Sequence, residues 1–205
     1  MDTEQKITNA KKLILDITLR TWLVDFYIQE RKEFEYKKWE FIITDLDDTL
    51  YSRDKILENE KLLRENRGAD WNTVLVNQIW IHNFIEKYYT KAIIPSEILS
   101  QLTCENSLIL TAGLKEQQLL KIRGLDLEHI PHVVVDAGAD KILETIRHVI
   151  FTLWYIPTTI KVYEDRPQFF IKYKELIETC LWTTLEIYYV EMNGNSWYKK
   201  IELTG

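Results

Sequence analysis

Runs of apolar residues alternate along the chain with stretches of helical periodicity, and this alternation predicts the order of its elements. Several apolar runs of strand length are bounded by polar or turn-forming residues, as expected of buried strands. They lie at 41–43, 107–113, 132–135, 159–163 and 185–190. Helix-forming stretches separate the last four runs, at 114–123, 141–149 and 167–179. Because strands that alternate with helices are typical of a parallel sheet, the sequence predicts an α/β fold with helices on both faces of one sheet.

The two ends of the chain extend this pattern. Residues 6–32 carry apolar side chains at helical spacing with charged residues between them, which predicts one amphipathic helix. We expect this helix to pack on the main domain or, alternatively, to form a dimer with a second subunit. Near the other end, Asn193-Gly194 predicts a two-residue turn that returns the chain as a strand over 197–203, giving a β-hairpin.

A helical block interrupts the alternation after the first strand. Asp70 is a suitable N-cap for a helix over 71–90, and Pro95 and Ser96 begin a shorter helix. The block spans 51–103, which is too short for a second full domain. It is therefore expected to be a small helical insertion in the domain formed by the strands.

Composition and charge narrow the function classes. The chain has 205 residues and a net charge of −6, which suits one domain with an insertion and gives no general attraction for nucleic acid or anionic membranes. No apolar run is long enough to cross a bilayer, and no export signal is recognisable, so we expect a cytoplasmic protein without a membrane partner. Cys104 and Cys180 lack metal-type spacing and are expected to be reduced core thiols.

Candidate chemistry begins where the first strand ends. Asp45, Asp47 and Asp48 follow the apolar run directly, and ligands of open α/β sheets bind beyond the carboxyl ends of the strands. Carboxylates this close repel each other, and a divalent cation such as Mg²⁺, which prefers oxygen ligands, would relieve that repulsion. The alternative is an ordinary acidic turn, which is common after a strand.

Three later positions carry complementary groups. Thr111 and Gly113 end the second strand, Lys141 begins a helix, and Glu164 and Asp165 close the fourth strand. A small hydroxyl and a helix N-terminus both suit an anion, whereas a lysine at a helix N-terminus opposes the helix dipole and is misplaced for stability alone. In a single parallel sheet these groups would meet at one edge.

Together these positions resemble the motifs of the haloacid-dehalogenase-like (HAD) phosphohydrolases. Asp45, Asp47 and Thr49 match the first motif, a strand followed by Asp-x-Asp-x-Thr. The second, third and fourth motifs are matched by Thr111, by Lys141 and by the acidic pair, Glu164 and Asp165. The resemblance covers roughly residues 40–192. It implies a Rossmann-like core at 40–50 and 104–205, a small helical cap at 51–103 and an N-terminal helical segment at 1–39.

The resemblance also implies a mechanism. Asp45 would be the nucleophile that forms an aspartyl-phosphate, and Asp47 would be the general acid and then the base. Mg²⁺ would be held by the Asp45 carboxylate, the Asp47 carbonyl and an acid of the later pair, with Asp165 as the first choice. Glu164 is the second choice, because the family often has two aspartates here. Phosphoryl binding would fall to Lys141 and Thr111, and Thr49, Ala112 and Gly113 are further candidates for contact with the substrate.

Three functions stay open. The resemblance favours a Mg²⁺-dependent phosphatase acting on phosphomonoesters. A nucleic-acid end-processing enzyme of the 3′-phosphatase type is the alternative, in which Arg166 would hold a second phosphate instead of pairing with a nearby acid. The third is a non-catalytic binding or regulatory protein that retains the fold. The intact pair of Asp45 and Asp47 weighs against it.

Overall fold

A computed structural model describes residues 36–51, 96–193 and 197–202 of the protein. The helix predicted over 6–32, the dimer contact proposed for it, and most of the predicted cap lie outside these residues. The turn after Asn193 also lies outside them. Within the described ranges, no helix is long and apolar enough to cross a membrane.

The described strands form one sheet in the order β3-β2-β1-β4-β5-β6. The strands are β1 (Tyr36–Thr44), β2 (Ser107–Ala112), β3 (His132–Val135), β4 (Ile156–Glu164), β5 (Thr184–Asn193) and β6 (Trp197–Glu202). The first five are parallel to one another, and β6 pairs antiparallel with β5. The predicted α/β fold with a parallel sheet is therefore confirmed, and its strand order is Rossmann-like.

Five described helices accompany the sheet: α1 (Ser96–Leu99), α2 (Lys115–Gly124), α3 (Asp140–Phe151), α4 (Gln168–Lys172) and α5 (Lys174–Leu181). The single helix predicted over 167–179 is in fact α4 and α5, because Tyr173 leaves the helical conformation with φ −108° and ψ 17°. Its ring is buried in the core, and this one residue separates the two helices.

Side chains of successive strand residues alternate between two apolar layers. Phe41 and Ile43 pack with residues of α3 and α5, whereas Ile42 packs with Ile122 of α2 on the other face. These residues are almost completely buried, and each such burial contributes about 1.5–3 kcal/mol to stability. Helices therefore cover both faces of the sheet.

The observed elements shift two predicted boundaries. β1 begins at Tyr36, which pairs with Ile156, so the sheet extends into the segment expected to be helical, 1–39. Ile98 and Leu102 are buried in the layer beneath α2, so the end of the block predicted as a cap packs on the core instead.

The two cysteines differ from each other. Cys180 is buried in the core as expected, but Cys104 is exposed, so the prediction of two core thiols is wrong for Cys104. The residue lies in the polar loop that precedes β2, where its neighbours Thr103 and Glu105 are also exposed.

The connections of the sheet create a crevice beside β1. From β1 the sheet extends through β2 and β3 on one side and through β4 and β5 on the other. Thr44, the last residue of β1, is in register with Ile109 of β2 and Tyr163 of β4. Ligands of such sheets bind where the strand order reverses, beyond the carboxyl ends of the strands.

Candidate functional site

The loop after β1 is anchored by its apolar residues. Leu46 and Leu50 are completely buried, and the Leu50 amide donates a hydrogen bond of 3.1 Å to the Leu46 carbonyl. The Asp45 amide donates to the Tyr163 carbonyl at 3.0 Å, which fixes the loop to β4. Asp48 adopts a left-handed conformation with φ 57°, one that Asp and Asn accept more readily than most residues. These anchors leave the carboxylates of Asp45 and Asp47 at the crevice.

Three carboxylates converge at the ends of β1 and β4. One oxygen each from Asp45, Glu164 and Asp165 lies within 4.8 Å of the other two. Both acids of the β4 pair belong to this cluster, so the choice between Asp165 and Glu164 as the metal ligand stays a prediction. Asp45 is 8% exposed and Glu164 is 4% exposed. Buried carboxylates that are ionised must be paired with a cation or coordinate a metal, and this cluster could hold a metal ion.

Lys141 supplies a positive charge to the same cluster. Its Nζ lies 2.7 Å from Glu164 Oε2 and 3.1 Å from Asp45 Oδ1, and its side chain is 5% exposed. Burial lowers the pKa of Lys141, but the two carboxylates outweigh it, so the pKa rises above its ordinary value. Lys141 is therefore a fixed cation that contacts both strand ends.

The acids themselves are harder to ionise than usual. Burial, and then the charge of Asp45, raise the pKa of Glu164 well above its ordinary value and outweigh the attraction of Lys141. The same two causes raise the pKa of Asp165 from 3.8 to about 6. One lysine does not compensate three carboxylates, which is the electrostatic setting that favours binding of a divalent cation.

These raised pKa values predict that the difference in stability between Asp165→Asn and wild type depends on pH. The pKa of Asp165 is about 6 in the folded protein against an ordinary 3.8, so its charge destabilises the fold above pH 6. That penalty disappears as the pH falls from about 6 towards 3.8. Without metal, Asp165→Asn is expected to unfold with a free energy about 1–3 kcal/mol higher than wild type at pH 8, and the difference should shrink to a small fraction of that value by about pH 4.

Urea unfolding of both proteins in a chelator, across this pH range, measures the difference. A stability gain that stays constant with pH would show that charge on Asp165 is not its source.

The clustered groups line an open cavity of about 520 Å³. The predicted site residues in its wall are Asp45, Asp47, Thr111, Ala112, Gly113, Lys141, Glu164, Asp165 and Arg166. Thr49 is not among the lining residues. It is completely buried within the loop, and its hydroxyl has no hydrogen-bond partner among the residues that the structure describes. Residues from separate parts of the chain thus meet at one edge of the sheet.

Arg166 lies at the mouth of this cavity. Its guanidinium Nε is 3.5 Å from Asp165 Oδ2, and its side chain is 73% exposed. An exposed ion pair of this length contributes about 0–1 kcal/mol, so Arg166 can leave Asp165 for an incoming anion at little cost.

Asp47 has partners that the sequence analysis did not identify. The Tyr51 hydroxyl donates to Asp47 Oδ1, and Lys121 Nζ lies 2.7 Å from Asp47 Oδ2. Gln118 Nε2 donates to the same Oδ2 at 3.3 Å. The signal was present in α2, where polar residues occupy most of the buried stripe while Leu119 is exposed.

No protein-family model matches the sequence, and no curated protein and no solved structure matches the chain.

Proposed function

We propose that the protein is a Mg²⁺-dependent phosphohydrolase of the HAD type, which hydrolyses phosphomonoesters through an aspartyl-phosphate. The observation that carries the proposal is the buried cluster of Asp45, Glu164 and Asp165 with Lys141, at the carboxyl ends of β1 and β4. An acidic turn without a ligand would have no reason to bury two of these carboxylates beside a third.

The donor set fits Mg²⁺. Asp45, Glu164 and Asp165 offer hard oxygen ligands from two adjacent strand ends, and Asp47 can add its backbone carbonyl. The cavity is open, so water can complete the coordination sphere. When bound, Mg²⁺ would neutralise charge on the phosphoryl oxygens and on the carboxylates around it.

Asp45 is the proposed nucleophile. Its carboxylate oxygen attacks phosphorus, the bond between phosphorus and the leaving oxygen breaks, and the phosphoryl group becomes attached to Asp45. Lys141 lies within 3.1 Å of that carboxylate and offsets charge on the transferring oxygens. The hydroxyl of Thr111 and the backbone amides after β2 offer further donors to the same oxygens, because α2 begins two residues after Gly113.

Asp47 is the proposed proton carrier. It lines the same cavity as Asp45 and its side chain is 17% exposed, so it can reach both the leaving group and solvent. In the first half-reaction it would protonate the leaving oxygen, and in the second it would accept a proton from the attacking water.

The mouth of the cavity bears on the substrate class. Arg166 is largely exposed there, beside the half-exposed ring of Phe169. A second phosphate or another anion on the substrate could pair with this guanidinium. This observation keeps nucleic-acid 3′-phosphate ends as a second candidate beside small phosphomonoesters, although the net charge of −6 gives no general support for nucleic-acid binding.

Hydrolysis of p-nitrophenyl phosphate with and without Mg²⁺ tests the proposal. We expect turnover that requires Mg²⁺ and is lost in chelator. A panel of phosphorylated metabolites and 3′-phosphorylated oligonucleotides then identifies the substrate class, and Arg166→Gln should raise KM by about 3–30-fold only for substrates with a second anionic group.

Binding of Mg²⁺ without hydrolysis of any phosphomonoester would contradict the catalytic proposal. It would instead favour the third function, a binding or regulatory protein that retains the fold.

A further inference from the structure

A buried lysine outside the predicted motifs contacts the proposed proton carrier. Lys121 is 1% exposed, and its ammonium group lies 2.7 Å from Asp47 Oδ2. The opposite oxygen of the same carboxylate accepts a hydrogen bond from the Tyr51 hydroxyl. Donors therefore hold Asp47 from two sides, and the carboxylate acts as an acceptor at both of its oxygens.

Stability alone does not account for this contact. Replacing a buried ion pair with apolar residues of similar size is often neutral or stabilising, because desolvation offsets most of the attraction between the charges. The position of Lys121 lies on the face of α2 that also carries Ile122 and packs against the sheet. Most of the buried residues on this helix are polar (Gln117, Gln118 and Lys121), and two of them contact Asp47, which indicates a role at the site.

Gln118, one turn before Lys121 on α2, also contacts Asp47. Its Nε2 bridges Asp47 Oδ2 and the Ala112 carbonyl, at 3.3 Å in each case. Gly113 leaves room for this amide, because a Cβ at Gly113 would lie 3.0 Å from Gln118 Nε2. Its φ of 141° also disfavours any side chain. The end of β2 and the start of α2 are thus shaped around the contact with Asp47.

We propose that Lys121, together with Tyr51, positions the Asp47 carboxylate for the second half-reaction, in which the aspartyl-phosphate is hydrolysed. This inference rests on the proposed phosphatase function. In that step the oxygen of water forms a bond to phosphorus, and the bond between phosphorus and the Asp45 oxygen breaks. The proton of the water passes to Asp47, and inorganic phosphate leaves. Because Lys121 and Tyr51 fix the orientation of the Asp47 carboxylate, it is positioned to accept that proton. Lys121 acts through Asp47 and does not contact the substrate.

p-Nitrophenyl phosphate isolates this step, because its leaving group departs without needing a proton. If Lys121 positions Asp47, Lys121→Met should form the aspartyl-phosphate at nearly the wild-type rate and hydrolyse it about 10–100-fold more slowly, a part of the usual contribution of a general base. Rapid mixing should then show a burst approaching one nitrophenol per active site, and acid quenching should trap phosphate on the protein. Tyr51→Phe, which removes only the hydroxyl, should show the same pattern with a smaller effect.

Lys115→Met is the matched control, because Lys115 lies on the same helix and is exposed. It should keep both rate constants of the wild type. A role of Lys121 in folding alone would lower the burst amplitude and the turnover together, without trapped phosphate, and that result would overturn the inference, as would unchanged kinetics. Should Lys121→Met fail to fold, Tyr51→Phe decides by the same criteria. If the wild type itself does not hydrolyse the substrate, the proposed function fails first and this inference fails with it.

Discussion

Replacing Asp45 by Asn is expected to abolish Mg²⁺-dependent phosphatase turnover, by at least about a thousandfold, while the fold is retained. An amide nitrogen or oxygen does not attack phosphorus in place of a carboxylate, and removing a catalytic nucleophile costs about 10⁴–10⁶ in kcat in well-studied hydrolases. Asn has the same shape as Asp, and Lys141 keeps its 2.7 Å contact with Glu164. The variant should therefore unfold within about 1 kcal/mol of wild type and form no trapped aspartyl-phosphate.

Asp48→Asn is the matched control for this change. It makes the same chemical substitution in the same loop, and Asn accepts the left-handed conformation that Asp48 adopts with φ 57°. Asp48 does not line the cavity formed by the described residues, so its variant should keep turnover within about threefold of wild type. Retained turnover in Asp45→Asn, or an equal loss in both variants, would contradict the assignment of Asp45 as the nucleophile.

Much of the fold could be predicted from the sequence, because most strands are short apolar runs that end at polar residues. In a parallel sheet the carboxyl ends of such runs must meet, so Asp45 and the pair Glu164 and Asp165 could be brought together without knowing the strand order. The position of Lys141 at a helix start was a weaker signal, which on its own also fits an ordinary surface lysine. It became a candidate for the site only together with the other motifs of the resemblance.

The residues that contact Asp47 could not be predicted from the sequence in the same way. Lys121 lies 74 positions along the chain from Asp47, and a lysine within a helix is ordinary in any local window. Only the placement of α2 against the loop after β1 converts that lysine into a buried partner. The break at Tyr173 is similar, because a buried ring in the core overrides the helical propensity on both sides of it.

The second large effect is expected when Lys141 is replaced, and it concerns the stability of the fold. Lys141→Met should lower the free energy of unfolding of the metal-free protein by about 3–5 kcal/mol, because it leaves Asp45 and Glu164 buried without their cation. For a chain of this size that corresponds to a fall in Tm of about 10 °C. Lys161→Met is the matched control. Lys161 also pairs with a glutamate at 2.8 Å, but its partner Glu40 is 59% exposed, so the loss should stay within about 1 kcal/mol.

Added Mg²⁺ separates the electrostatic explanation from simple loss of packing. A cation bound by Asp45, Glu164 and Asp165 would replace the missing charge, and at a hundred times its Kd it would restore about 2.7 kcal/mol. Because Lys141 no longer competes for the same carboxylates, the rise in Tm on adding Mg²⁺ should be larger for Lys141→Met than for wild type. An equal rise in the two proteins, or no rise in either, would show that the metal and the lysine do not share these acids, and the proposed arrangement of the site would have to be abandoned.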